Sequence, residues 1–142
     1  MRKFICLLLL GCIFSNYCPA QAVNNITIEI NNIVINGGTI YLGVFSTAEN
    51  FRREEPDFLF ELESIRTTMV QELSLPSGEY VITAIQDANN NRRLDFGLLG
   101  IPRELVGISN FNGRGFPSRN FDRHKILIDR TIEKIIINLY RF

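Results

Sequence analysis

Three observations predict an all-β chain folded as a single β-sandwich of about seven strands with one long ordered loop. Apolar and polar side chains alternate with period 2, Gly/Pro/Asn turn chemistry recurs at short intervals, and no internal repeat or linker divides the chain. Ile26, Ile28 and Ile30 alternate with Thr27, Glu29 and Asn31, giving a half-buried first strand. Asn36-Gly37-Gly38 then supplies positive φ for a turn. From Thr39 to Ser46, Ile40, Leu42 and Val44 oppose Tyr41 and Phe45, so burial on both faces is expected. Asn50 to Arg66 reads as an irregular or briefly helical start, then an edge strand, because Pro56 disfavours a continuous helix. Strands follow at Thr67–Leu75 and Glu79–Gln86, joined by Pro76-Ser77-Gly78. A closing hairpin is expected from His124–Ile128 and Ile132–Leu139 around Asp129-Arg130.

The N-terminus has a different character. Met1-Arg2-Lys3, the apolar run Phe4 to Phe14 and the small residues of Ala20-Gln21-Ala22 have the layout of a secretory signal cleaved after Ala22. That divides the chain into a signal, 1–22, and one sandwich domain, 23–142. Lipidation at Cys12 is the alternative, since Leu9-Leu10-Gly11-Cys12 resembles an attachment box, but only Phe4 to Leu10 would precede it. With cleavage, Cys6, Cys12 and Cys18 all leave, and with them any disulfide framework or thiolate chemistry. Arg2 and Lys3 leave too: 15 basic side chains less these two, against 15 acidic ones, is a net charge of −2. A near-neutral chain has no electrostatic footprint for nucleic acid. The 142 residues less 22 leave enough chain for one core without staples. No further apolar run is long enough for a transmembrane helix, so a soluble protein of the periplasm, cell surface or exterior is expected. A terminal Phe142 is also how outer-membrane barrels end, yet such barrels need about ten alternating residues per strand, which Ala88–Asn120 lacks.

The most informative stretch is Asp87-Ala88-Asn89-Asn90-Asn91-Arg92-Arg93-Leu94-Asp95. It places side-chain oxygens of Asp87, Asn89, Asn91 and Asp95 at positions 1, 3, 5 and 9 of a loop directly after a strand. Hard oxygen ligands at alternate residues of a curled chain suit calcium, and a carbonyl near Arg93 would add another. Two carboxylates among neutral oxygens fit an extracellular, millimolar-to-micromolar site. Against an ion, Arg92 stands where such loops carry Gly, Leu98 rather than Glu occupies position 12, and two arginines bring positive charge nearby. The competing reading is a set of turns capped by Asp and Asn side chains. What surrounds Asp87, Asp95 and Glu104 decides between them.

Ala88 to Asn120 shows no strand or helix pattern, yet Leu98, Leu99, Ile101, Leu105, Ile108, Phe111 and Phe116 are too apolar for disorder. An ordered flap packed on the sandwich is expected. Within it Phe111, Phe116 and Phe121, with Asn110, Asn112 and Arg114, form either a sugar- or peptide-binding platform or a small satellite core. His124 is the only histidine and is expected at the surface; nothing in spacing sets Ser109 or Ser118 beside it as a nucleophile. Zinc spacings, phosphate loops and dinucleotide fingerprints are absent from the sequence, so no enzyme is expected.

Leu75-Pro76-Ser77-Gly78-Glu79-Tyr80, the Asp87–Asp95 loop and Gly100-Ile101-Pro102-Arg103-Glu104-Leu105-Val106-Gly107-Ile108-Ser109-Asn110 occur in that order. Together they resemble the uncharacterised bacterial secreted-protein family catalogued as domain of unknown function 2141, across nearly all of the mature chain. The family pattern has Gly where this chain has Arg92. The resemblance implies export and a small β domain without an established activity. The turn-plus-strand motif is also similar to transthyretin-like and carboxypeptidase-regulatory-like sandwiches, an analogy of fold that implies a transthyretin-like or Ig-like architecture. The functional expectation is an exported, non-enzymatic binding or structural module with a calcium-stabilised loop. The alternative is a small-ligand or carbohydrate-binding domain using the 97–121 loop. Partners would be periplasmic or cell-surface proteins or glycans.

Overall fold

The computed structural model describes residues 23–142. The expected secretory signal, with its cleavage after Ala22, the Cys12 box and the other two cysteines, lies outside the described residues. Two sheets pack face to face. The first has three strands in the order β4-β1-β8, from β1 (Val23–Asn31), β4 (Thr68–Pro76) and β8 (Lys134–Asn138). The second has five, with β2 (Thr39–Phe45), β3 (Phe58–Glu63), β5 (Gly78–Asp87) and β6 (Leu105–Ile108) in the order β3-β2-β5-β6. Its fifth strand, β7 (Ile126–Ile128), pairs with the start of β5. Pairing is antiparallel except between β1 and β8, which run parallel.

The predicted alternation sets the register. Ile26, Ile28 and Ile30 of β1 point inward, as do Ile40, Leu42 and Val44 of β2 and Ile82 and Ala84 of β5, all between 0 and 2% exposed. Each buried aliphatic side chain contributes about 1.5–3 kcal/mol, so this interior dominates the fold's stability. Polar staples complete it. The buried Gln86 amide spans Val34, donating to its carbonyl at 2.6 Å and accepting its N–H at 3.0 Å.

A second apolar cluster covers the outer face of the five-stranded sheet. Phe45, Val81, Ile108 and Phe121 are buried there, with Phe51 and Phe111 packed against them. Two short helices supply part of this cover: α1 (Ala48–Arg53), capped by Thr47, whose hydroxyl accepts the Asn50 N–H, and α2 (Phe121–His124), capped by Asn120. Burial of β2 on both faces follows from this layer.

Three expectations need correction. The closing hairpin is not one: β7 joins β5 in one sheet while β8 joins β1 in the other, and Asp129 caps the crossover by accepting the Thr131 N–H and hydroxyl. The stretch from 88 to 120 does contain a strand, β6, which alternation cannot reveal because all four of its residues are buried. The count is therefore eight strands among the described residues. His124 is not a surface residue: it is 3% exposed and ends a helix.

Candidate functional site

Asp87 ends β5 and is 1% exposed. Its carboxylate accepts the Arg92 N–H at 2.7 Å and the Asn91 N–H at 3.3 Å. Asn89 Oδ1 accepts the Asn91 N–H at 3.0 Å, and Asn91 Oδ1 accepts the Arg93 N–H at 2.8 Å. The chain thus curls around its own acceptor side chains, as alternate Asp and Asn residues allow. Curling needs left-handed backbone at Asn90 (φ 56°) and Arg92 (φ 62°). Arg92 therefore takes the conformation that Gly supplies in a calcium loop, at a cost of about 1–2 kcal/mol for an L-residue. Its side chain reaches out to Glu61, 3.8 Å away.

Neighbouring turns fix the root of the loop. Asn90 Oδ1 accepts both the N–H and the hydroxyl of Thr39, at 3.1 and 2.9 Å. Gly38 (φ 99°) lies against the Asp87 carbonyl, where any Cβ would collide with it. The far end closes on Asp95, whose Oδ2 accepts the Asn89 and Asn91 amides at 2.7 and 2.9 Å. All four predicted ligands thus belong to one hydrogen-bonded loop. Asp87 serves backbone N–H groups, and the two asparagines converge on Asp95.

A fifth residue joins them. After Asp95 the chain doubles back through a 3₁₀ turn at Leu98–Gly100. The Gly97 N–H donates to the Ile101 carbonyl at 2.7 Å and the Arg103 N–H to the Asp95 carbonyl at 2.9 Å. This small return brings Glu104 home. Its Oε2 accepts the Asp95 N–H at 3.3 Å, and its carboxyl lies against that of Asp87. Glu104 is 4% exposed and its Oε1 has no hydrogen-bond partner among the described residues. Two facing carboxyl groups bond only when one of them carries a proton; as anions they repel. Burial pushes the Glu104 carboxyl above its ordinary range, the Asp95 N–H opposes this, and contact with Asp87 and the charge of Asp95 push it further up. Among the described residues no three His, Cys, Asp or Glu groups form a ready-made metal centre. The tight unit is the Asp87–Glu104 pair, with Asp95 held off by amide donors. Spacing could not single out Glu104 as a ligand, because the return that delivers it leaves no periodic trace.

The other candidates separate. Ser109 Oγ donates to the His124 carbonyl at 2.6 Å and accepts the Ile82 N–H at 3.0 Å. His124 Nδ1 lies 3.1 Å from the Ser109 carbonyl, so the hydroxyl and the imidazole serve backbone groups rather than each other. Ser118 accepts the Asn120 N–H. Of the three phenylalanines only Phe121 leaves the expected platform, while Phe111 and Phe116 line one open cleft with Asn110, Asn112 and Arg114. Phe121 is buried with Phe45, Phe111 packs edge-on to Tyr140 and His124, and Phe116 is 61% exposed beside Phe142. The satellite-core reading describes Phe111 and Phe121. Between the flap and the outer face of the five-stranded sheet lies a cavity of about 670 Å³, with Asp87, Arg92 and Arg93 in its wall. Among the described residues no helix is long and apolar enough to cross a membrane.

A family model described as "Uncharacterized protein conserved in bacteria (DUF2141)" matches residues 28–135. No curated protein and no solved structure matches the chain.

Proposed function

The chain belongs to the DUF2141 family of uncharacterised bacterial proteins, and from that premise we propose an exported, non-enzymatic binding or structural module whose flap is anchored to the sandwich by calcium. One observation carries this reading: the buried, unpartnered Oε1 of Glu104 against the buried carboxyl of Asp87. Buried charge is costly unless paired, and two carboxyl groups in contact need a proton or a cation between them. None of Asp87, Asp95 and Glu104 forms an ion pair with Lys or Arg among the described residues.

The donor set favours calcium over magnesium. Carboxylate, amide and carbonyl oxygens on a flexible loop can give six to eight irregular contacts, whereas magnesium holds to octahedral geometry and keeps its waters. Asn89 and Asn91 would turn their amide oxygens to the ion, releasing Asp95 Oδ2 to join it. With Glu104 and a released Asp95 the site would have three carboxylates rather than two, which would favour tighter binding than the loop alone. Outside the cell, calcium would then be a standing part of the fold. It would tie the end of β5 to the segment leading into β6.

Thermal unfolding in calcium and in chelator tests this. A ligand selective for the folded state adds about 2.7 kcal/mol at a hundredfold excess over Kd. A rise in calcium, little change in magnesium and loss of the rise in Asp95→Asn are expected. Identical melting in calcium and chelator would remove the ion and leave the turns.

A further inference from the structure

The space beneath the flap is a cleft open to solvent on one side, large enough to take a ligand. Its floor is the outer face of the five-stranded sheet, where Tyr41, Gly43, Thr83 and Ile85 line it from β2 and β5. Gly43 sits mid-strand, where glycine weakens a sheet and marks close approach by another group. A Cβ there would come within 3.1 Å of both Phe45 and Thr83, so a side chain would take space from the floor. The roof comes from the flap, through Leu94, Phe96, Pro102 and Phe116. At about 670 Å³ the volume suits a small organic molecule.

The charges on the wall select among such molecules. Arg52, Arg92, Arg93 and Arg119 line the cavity against Glu54, Glu61 and Asp87. Arg92 pairs with Glu61 at 3.8 Å and Arg119 with Glu54 at 3.6 Å, and Arg119 also lies over the Phe96 ring, 5.7 Å from its centroid. Arg52 and Arg93 have no ion-pair partner among the described residues. Guanidinium groups on an apolar chamber recognise a planar acidic head while the walls take the apolar body. We propose that this cavity binds a small amphipathic organic anion, with its apolar part on the Gly43–Ile85 floor and its carboxylate at one of the two guanidinium groups without an ion-pair partner among the described residues, Arg52 beyond the Phe45 end of β2 or Arg93 beyond the Asp87 end of β5. The proposal stands whether or not the Asp87 loop holds an ion.

Calorimetric titration of the full chain tests it with dodecanoate below its micellar concentration, in chelator and again in calcium kept below the point at which the soap precipitates. Dodecyltrimethylammonium, dodecyl maltoside and a neutral oligosaccharide serve as comparison probes. Saturable one-to-one binding of dodecanoate is expected, at least tenfold tighter than the cation. Arg52→Gln/Arg93→Gln, at two exposed positions, should weaken dodecanoate at least tenfold while leaving dodecyl maltoside unchanged. Gly43→Val should abolish binding; if that variant does not fold, Ile85→Trp fills the same space from the neighbouring strand. Absence of saturable dodecanoate binding overturns the proposal. So does equal binding of cation and anion, or binding of the oligosaccharide alone.

Discussion

The two faces of the five-stranded sheet are built by different rules. The inner face meets the three-stranded sheet through aliphatic side chains at alternate positions, with Ile40, Leu42, Val44 and Ile82 all 0% exposed. The outer face is covered by α1, α2 and the flap, through rings, turns and polar side chains that serve the backbone. Of the three buried side-chain polar atoms without a hydrogen-bond partner among the described residues, Glu104 Oε1 and His124 Nε2 belong to this outer layer. The third, Asn24 Oδ1, lies near the start of β1. An apolar interior is satisfied by shape alone, whereas a layer of loops must find a partner for each buried polar group. Where it fails to, a ligand can supply one.

The sharpest test of this contrast is truncation on each side. Ile82→Ala removes a fully buried side chain from the inner core and should cost about 3 kcal/mol in denaturant unfolding. Leu98→Ala, on a flap residue 88% exposed, should stay within about 0.5 kcal/mol. Equal costs would mean that the flap is as much core as the sandwich.

Glu104→Gln comes next and separates a ligand from a packing residue. The isosteric amide removes a charge that faces Asp87, so the variant should be no less stable than wild type in chelator at neutral pH. It should also lose most of the gain of about 2.7 kcal/mol expected at a hundredfold excess of calcium. Asp87→Ala is a poorer test, because two backbone N–H groups lose their acceptor with or without an ion.

The same pair of carboxyl groups sets a pH dependence. Glu104's carboxyl lies above its ordinary 4.5 in the fold, chiefly through burial, so the folded chain holds that proton more tightly than the unfolded one. The stability tied to it is complete below 4.5 and drains away as pH rises through the raised value. In chelator, wild type should therefore lose stability relative to Glu104→Gln across that rise, and calcium should cancel the loss by replacing the proton. Taking the difference sets aside Glu29, Asp57 and Asp129, whose carboxyls are lowered and whose stabilisation is lost at more acid pH. A difference that is flat with pH would break the link between Glu104 and Asp87.

The smallest expected effect concerns Arg92. Glycine accepts φ 62° without the steric penalty, and the exposed ion pair with Glu61 is worth little. Arg92→Gly should stabilise the chain by about 1 kcal/mol in thermal unfolding. Destabilisation would show that the Arg92 side chain does more than reach Glu61.

What was legible in the sequence follows the same division. The inner core could be read because Ile26-Thr27-Ile28-Glu29-Ile30 writes burial as alternation. The Asp87 loop could be read because side-chain caps act over two to five residues. Leu105-Val106-Gly107-Ile108 could not be seen as a strand, since burial on both faces erases the period. Sequence proximity suggests a hairpin for the last two strands, whereas β8 finds its partner across the fold in β1. Glu104 could be named beside Asp87 and Asp95 but not given a ligand position, because it arrives through the return after Asp95 and its meaning lies in a contact rather than a spacing.

Amide hydrogen exchange across 88–109, with calcium and with chelator, measures the anchoring itself. Calcium should slow exchange at the Asn91, Arg92 and Arg93 amides and through the return to Glu104, leaving β1 and β4 unchanged. Exchange that is identical in the two conditions, or slowed evenly over the whole sandwich, would contradict an ion that ties the flap to the sheet.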